Sequence, residues 1–141
     1  MLKIKPYSAI LLALAGFMTI GMGLYFMFIR PPPLLPEDLR YMGATLKEVK
    51  HNIPGFLNWL PKVFLVMGGY IITTGILTVF MSYTSFRTRL PGAFIITFLA
   101  GITSIGLITS VNFIIGSDFK LPLLFFALLW TFALILYRIH L

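Results

Sequence analysis

Apolar residues in this chain fall into four long runs, and the polar residues lie almost entirely between them. The runs are Ser8–Ile29, Val63–Tyr83, Gly92–Ile115 and Leu121–Tyr137. None contains a charged residue. Each is close to the roughly 20 residues that a helix needs to cross hydrocarbon. The fourth is the shortest, with Pro122 at a first-turn position where a missing N–H costs nothing. The runs lack the strict alternation of a membrane β-barrel strand, and an open sheet cannot leave its backbone groups unpaired in lipid. The pattern predicts an all-α protein, an integral membrane four-helix bundle forming one transmembrane domain over residues 1–141. The first run is too long, and too rich in Tyr25, Phe26 and Phe28 at its end, for a cleaved signal peptide. It is read as a retained helix.

Composition supports that class. The chain is 59% hydrophobic and 11% charged, with mean hydropathy +0.98. A water-soluble domain has about 25% charged residues. The absence of cysteine excludes disulfides and thiolate metal centres. A net charge of +7 could suggest nucleic acid. In so apolar a chain the bases are better read as topology signals in the loops. Lys3, Lys5, Arg87, Arg89 and Arg138 share one side with no acid. Arg30, Arg40, Lys47, Lys50, Lys62 and Lys120 share the other with all four acids. The denser, acid-free side is expected in the cytoplasm, with both termini, in a bacterial or archaeal cytoplasmic membrane.

The spans carry stripes of small residues, which allow membrane helices to approach closely. Gly68, Gly75 and Ser82 recur every seventh residue in the second span. Ala9, Ala13 and Gly16 mark the first; Ala93, Thr97 and Gly101, with Thr103, Gly106 and Ser110, mark the third. Helix packing is expected through Gly68, Gly75, Ser82 and Gly101. The links between spans two and three and between three and four are short, so these three helices are expected to be antiparallel neighbours. The fourth span is bulky, and the largest lipid or partner exposure is expected there.

Catalytic chemistry is not visible. Ionisable residues within spans mark proton relays and ion paths. The strongest polar group inside these spans is Asn112. His51 and His140 fall on opposite faces of the membrane, too far apart to share a metal. Glu37 and Asp38 are adjacent, and adjacent helical side chains diverge. Their expected role is to meet the positive end of a helix dipole. GxSxG, HExxH and glycine-rich phosphate loops are absent. No catalytic residue, metal ligand or cofactor is therefore assigned, and the chain is expected not to be an enzyme.

The long polar segment between the first two spans, residues 30–62, has an order of its own. Pro31–Pro33 predicts an extended spacer. Pro36 opens a short helix that Gly43 closes. Thr45 and Glu48 form a capping box for a second, which stops before Pro54-Gly55. Leu35, Leu39 and Met42 give the first helix an apolar face. Trp59 belongs to an interfacial aromatic cluster leading into the second span. These four are candidate contacts for a partner or an interface. The segment is expected to be a lid over the helix ends, a docking surface for another protein, or a lid over a lipid-facing pocket.

The run PEDLRYMGATLKEV, with Asn52, Pro54, Phe56 and Trp59 after it, resembles a group of small bacterial four-helix membrane proteins. These carry a P-x-D…MG-x-T-x-E-E-L loop between helices 1 and 2. Their loop leads through a His-Asp-Arg step into a glycine-rich helix. Here Leu60-Pro61-Lys62 stands at that step, so no site carries over, while Gly68-Gly69 fits the glycine-rich helix. The resemblance implies fold and no activity. A looser likeness, of architecture alone, is to DoxX-like four-helix proteins, some linked to quinone chemistry. The functional expectation is a non-catalytic polytopic membrane protein, an accessory or scaffold subunit that contacts membrane lipids and other membrane-protein subunits. The alternative is a lipid- or quinone-binding protein with a pocket beneath the long loop.

Overall fold

The computed structural model describes residues 7–30 and 34–139. The expected spacer at Pro31–Pro33, the bases Lys3 and Lys5, and His140 lie outside the described residues. Within them the protein is all-α, with six helices in the order α1 (Tyr7–Ile29), α2 (Pro36–Met42), α3 (Leu46–Asn52), α4 (Phe56–Phe86), α5 (Ala93–Ile114) and α6 (Lys120–Ile139). Four of these, α1, α4, α5 and α6, are long and apolar enough to cross a membrane.

The centre of the bundle is α1, which packs on α4 along one side and α6 along another. Its seam with α4 rests on glycines facing glycines. A Cβ on Gly75 would stand 2.8 Å from Gly16 O, and one on Gly68 would stand 2.8 Å from Gly23 O. Both are closer than real contacts allow, so the two backbones meet only because these side chains are absent. On the other side Ala9, Leu12 and Ala15 join a core cluster with Leu123, Trp130, Ala133 and Tyr137 of α6, Phe86 of α4 and Ile105 of α5. Two of the buried hydroxyls in the seams are satisfied within their own helices. Thr19 donates to Ala15 O at 2.8 Å and Thr78 to Thr74 O at 2.7 Å.

The third span buries every fourth residue: Ala93, Thr97, Gly101, Ile105 and Thr109. In a regular α-helix such a stripe would wind round the axis. The five-residue π turn at Ile102–Gly106 widens the helix locally, which keeps the stripe on one face. Further π turns end α1 (Tyr25–Ile29) and α4 (Ser82–Phe86).

Four expectations are corrected. The second and third spans are not neighbours along their length. They meet near their link and α5 packs mainly on α6, because α1 already occupies the glycine face of α4. Thr103 and Ser110 are exposed, since the π turn rotates them away from the buried stripe. The fourth span is not the most exposed: the second buries 17% of its most apolar stretch and the fourth 22%. Trp130, Ala133 and Tyr137 turn the bulk of α6 inward. Finally, the helix that carries the second span begins at Phe56 rather than after Lys62. Pro61 removes only one hydrogen bond, close to the helix start, so the helix runs through it.

Candidate functional site

The two ends of the bundle differ. At the end that carries the Arg87–Pro91 link, aromatic rings fill the space between helices. Phe86 and Tyr137 lie 4.3 Å apart at their centroids. The Arg89 guanidinium donates to Tyr137 O at 3.1 Å and stands over the Tyr137 ring. Midway along the bundle Trp130 sits against Gly101, whose missing side chain makes the room, and its indole N–H donates to Thr97 O at 3.1 Å.

At the opposite end the segment after α1 folds back as a roof. The Arg30 guanidinium lies over the Phe64 ring at 3.6 Å from its centroid, with Phe26 at 5.3 Å, and donates to Asp38 Oδ2 at 3.3 Å. Burial lowers the Arg30 pKa from its ordinary value, and the Asp38 carboxylate opposes that shift. Asp38 also accepts from Leu35 N at 2.8 Å. That bond satisfies a backbone donor at the start of α2. The helix ends at Gly43, which is left-handed with φ 64°. Glycine takes that conformation without the penalty of a Cβ. Next comes the Thr45–Glu48 capping box. Thr45 N donates to Glu48 Oε2 at 2.7 Å and Glu48 N to Thr45 Oγ1 at 3.2 Å. The bond from Thr45 N, with a second that Thr45 Oγ1 donates to Glu48 Oε2 at 2.8 Å, holds the Glu48 carboxyl below the usual carboxylate value.

The roof is tied to the link between α5 and α6 by two contacts. Arg40 pairs with Asp118 at 3.4 Å in solvent. Glu37 is shut in beneath α2, 2% exposed, and accepts from Ser117 Oγ at 3.3 Å. Ser117 Oγ in turn accepts from Phe119 N at 3.1 Å. Glu37 thus stands in the first turn of α2, as the sequence pattern places it, and turns its side chain toward the bundle. The inward positions of this turn are Leu34 and Glu37, with Asp38 half-buried beside them. That stripe stands one position round from Leu35, Leu39 and Met42. A chain clasped at Arg30 and Ser117 must present that side to the bundle. Only the spacing of Arg30 and Asp38 about the prolines hints at this in the sequence.

Beneath the roof is a cavity of about 750 Å³. Its walls are apolar, including Met18, Tyr25, Phe64, Leu123 and Phe126, and its polar groups are Arg30, Glu37, Asp38, Asn112 and Ser117. A second space of about 880 Å³ is the cleft left where α4 and α5 diverge, lined by Val66, Tyr70, Thr74, Thr103 and Leu107 among others. The two spaces share Met22, Met67, Ile108 and Val111 in their walls. Each is of the size and apolar character of small-molecule sites. Two of the π turns contribute wall residues, Tyr25 and Phe26 from one and Thr103 to Ile105 from another.

Of the candidate contact residues, Leu35 is half-buried and Met42 is 46% exposed, and both line the roofed cavity. Leu39 is half-buried outside it, and Trp59 stands at the cleft. Gly68, Gly75, Ser82 and Gly101 are all buried in helix seams. His51 lies on the surface, at the C-terminal end of α3. No three His, Asp or Glu side chains gather to hold a metal among the described residues. No family model, curated protein or solved structure matches this chain.

Proposed function

We propose that this chain is a non-catalytic membrane protein that binds an amphipathic, lipid-like molecule in the roofed cavity, with its apolar part extending into the cleft between α4 and α5. One observation carries the reading: a cavity whose polar groups gather at the loop end and whose remaining walls are apolar adjoins an apolar cleft, the two sharing Met22, Met67, Ile108 and Val111 as wall. An amphiphile has the same division, and it would reach the site from the bilayer without crossing water. A lipid or an isoprenoid quinone both meet this description. The reading of the chain as an accessory or scaffold subunit comes second. Exposed apolar residues on α4, such as Leu65, Leu77 and Phe80, need only lipid to cover them.

The loop end is proposed to face away from the cytoplasm, from the denser positive charge at the other end. Because the chain lacks cysteine, Thr45→Cys and Thr88→Cys can be labelled singly. An impermeant thiol reagent added to intact cells should reach the first and not the second; the reverse would invert the orientation.

Binding is tested by native mass spectrometry of protein released from nanodiscs made with cell lipid extract. One molecule of lipid or quinone mass should stay on each chain after the bulk lipid is stripped. A bare chain under conditions that preserve the fold would refute the reading. Retention of a protein partner in place of a small molecule would favour the accessory-subunit reading.

A further inference from the structure

The polar end of the cavity has a charge arrangement that selects a headgroup. Two acids and one base line it. Asp38 is engaged by Arg30 and by the α2 backbone. Glu37 is the carboxylate left over. It is 2% exposed, its one hydrogen bond comes from a neutral hydroxyl, and no base lies within ion-pair distance among the described residues. Arg30 acts on it only as a more distant charge. A carboxylate taken out of water is costly unless a cation and hydrogen-bond donors meet it. Among the described residues no cation pairs with Glu37 directly, and a ligand could supply one. Arg30, for its part, makes a single side-chain hydrogen bond among the described residues, beside the same cavity. Its remaining guanidinium donors suit a phosphate.

We infer that the cavity selects a phospholipid whose headgroup carries a primary ammonium beside its phosphate, the ammonium donating to Glu37 and the phosphate accepting from Arg30. An anionic headgroup such as a phosphoglycerol would bring a further negative charge to a pocket with an acid in excess. A quaternary ammonium would offer charge without an N–H. An isoprenoid quinone would leave Glu37 without a cation. The inference rests on the amphiphile reading and adds the class of headgroup.

The test uses the whole chain in detergent micelles with three probes of matched tails: dioleoyl phosphatidylethanolamine, dioleoyl phosphatidylglycerol and dioleoylglycerol. Charge-assisted hydrogen bonds imply a preference for the ethanolamine lipid over the glycerol lipid of roughly ten- to a hundred-fold. Glu37→Gln keeps an acceptor for Ser117 and removes the charge; it should abolish that preference while dioleoylglycerol still binds. Arg40→Gln, which opens only the exposed pair with Asp118, should keep the preference. Equal binding of all three probes to the wild type would overturn the headgroup inference and leave the amphiphile reading in place. Binding of none would overturn both. A preference that survives Glu37→Gln would also refute the assignment to Glu37.

Discussion

The link end and the loop end of this bundle use similar residues to opposite effect. Both have an arginine over aromatic rings, Arg89 on Tyr137 at one and Arg30 on Phe64 at the other. At the link end Phe86, Tyr137 and Phe94 turn inward and fill the space, and midway along the bundle Trp130 takes the room left by Gly101. At the loop end Tyr25, Phe26 and Phe64 form walls around a cavity, and the closure is polar, through Asp38 and Ser117. The helices are held together where they are dense. Where they diverge, the chain adds a separately capped roof rather than more side chains. A fold that needed only stability would fill both ends, since an unfilled apolar void forfeits contacts on every wall.

The largest effect expected from breaking this contrast is in the filled part of the core. Trp130→Ala removes a buried ring and its hydrogen bond to Thr97. It should cost about 3–5 kcal/mol. Phe126→Ala, on the wall of the loop-end cavity, should cost clearly less, because that ring already faces open space on one side. Unfolding in detergent measures both; equal losses would mean that the filled core and the loop end are packed alike.

Next in size is the glycine seam that joins them. Gly75→Leu drives a side chain into Gly16 O and Ile20. It should cost about 3 kcal/mol, the upper part of the range for overpacking. Leu129→Ala, on half-buried α6 surface, is expected to be milder in the same assay. Asp38→Ala follows, since it uncaps α2 and strands a largely buried Arg30 side chain. Its expected cost is about 2 kcal/mol. Hydrogen exchange should then show lost protection at Leu39–Met42 with the four spans unaffected.

The roof also has a pH limit. Glu48 is held in a capping box that lowers its pKa. The stabilisation of α3 is therefore complete above the unfolded carboxylate value of about 4.3 and is lost as pH falls through the lower folded value. Amide protection at Val49–His51 should persist at neutral pH and disappear on strong acidification, and Glu48→Gln should weaken this dependence. The smallest effect belongs to Thr97→Val. Thr97 Oγ1 is buried without a hydrogen-bond partner. An apolar replacement of the same shape removes the unpaired group and should leave stability unchanged or slightly raised, read in the same unfolding assay.

Much of this is legible in local sequence signals. The four spans, the cap at Gly43 and the Thr45–Glu48 box depend on residues within a few positions of one another. Gly68 and Gly75 stand out as a stripe, but their partners Gly16 and Gly23 are only half visible, because Gly23 falls outside the Ala9–Ala13–Gly16 pattern. The adjacency of the spans is not legible, because short links bring helix ends together and say nothing of the far ends. The cavity arises from that divergence, so no single stretch encodes it. Glu37 illustrates the same limit. Its neighbours Leu35 and Leu39 suggest one inward face, and a clasp to Ser117, far along the chain, imposes another.

The most direct test of the loop-end cavity uses two glycines with open space around them. A Cβ added at Gly21 or at Gly69 meets nothing within 4 Å, but only Gly21 lines the roofed cavity. Gly21→Leu and Gly69→Leu should both fold as well as the wild type, and the amount of lipid-like molecule retained per chain in native mass spectrometry should separate them. If the cavity is the binding site, wild type and Gly69→Leu retain the molecule and Gly21→Leu loses it. Equal retention by all three would place any bound molecule elsewhere and contradict the assignment.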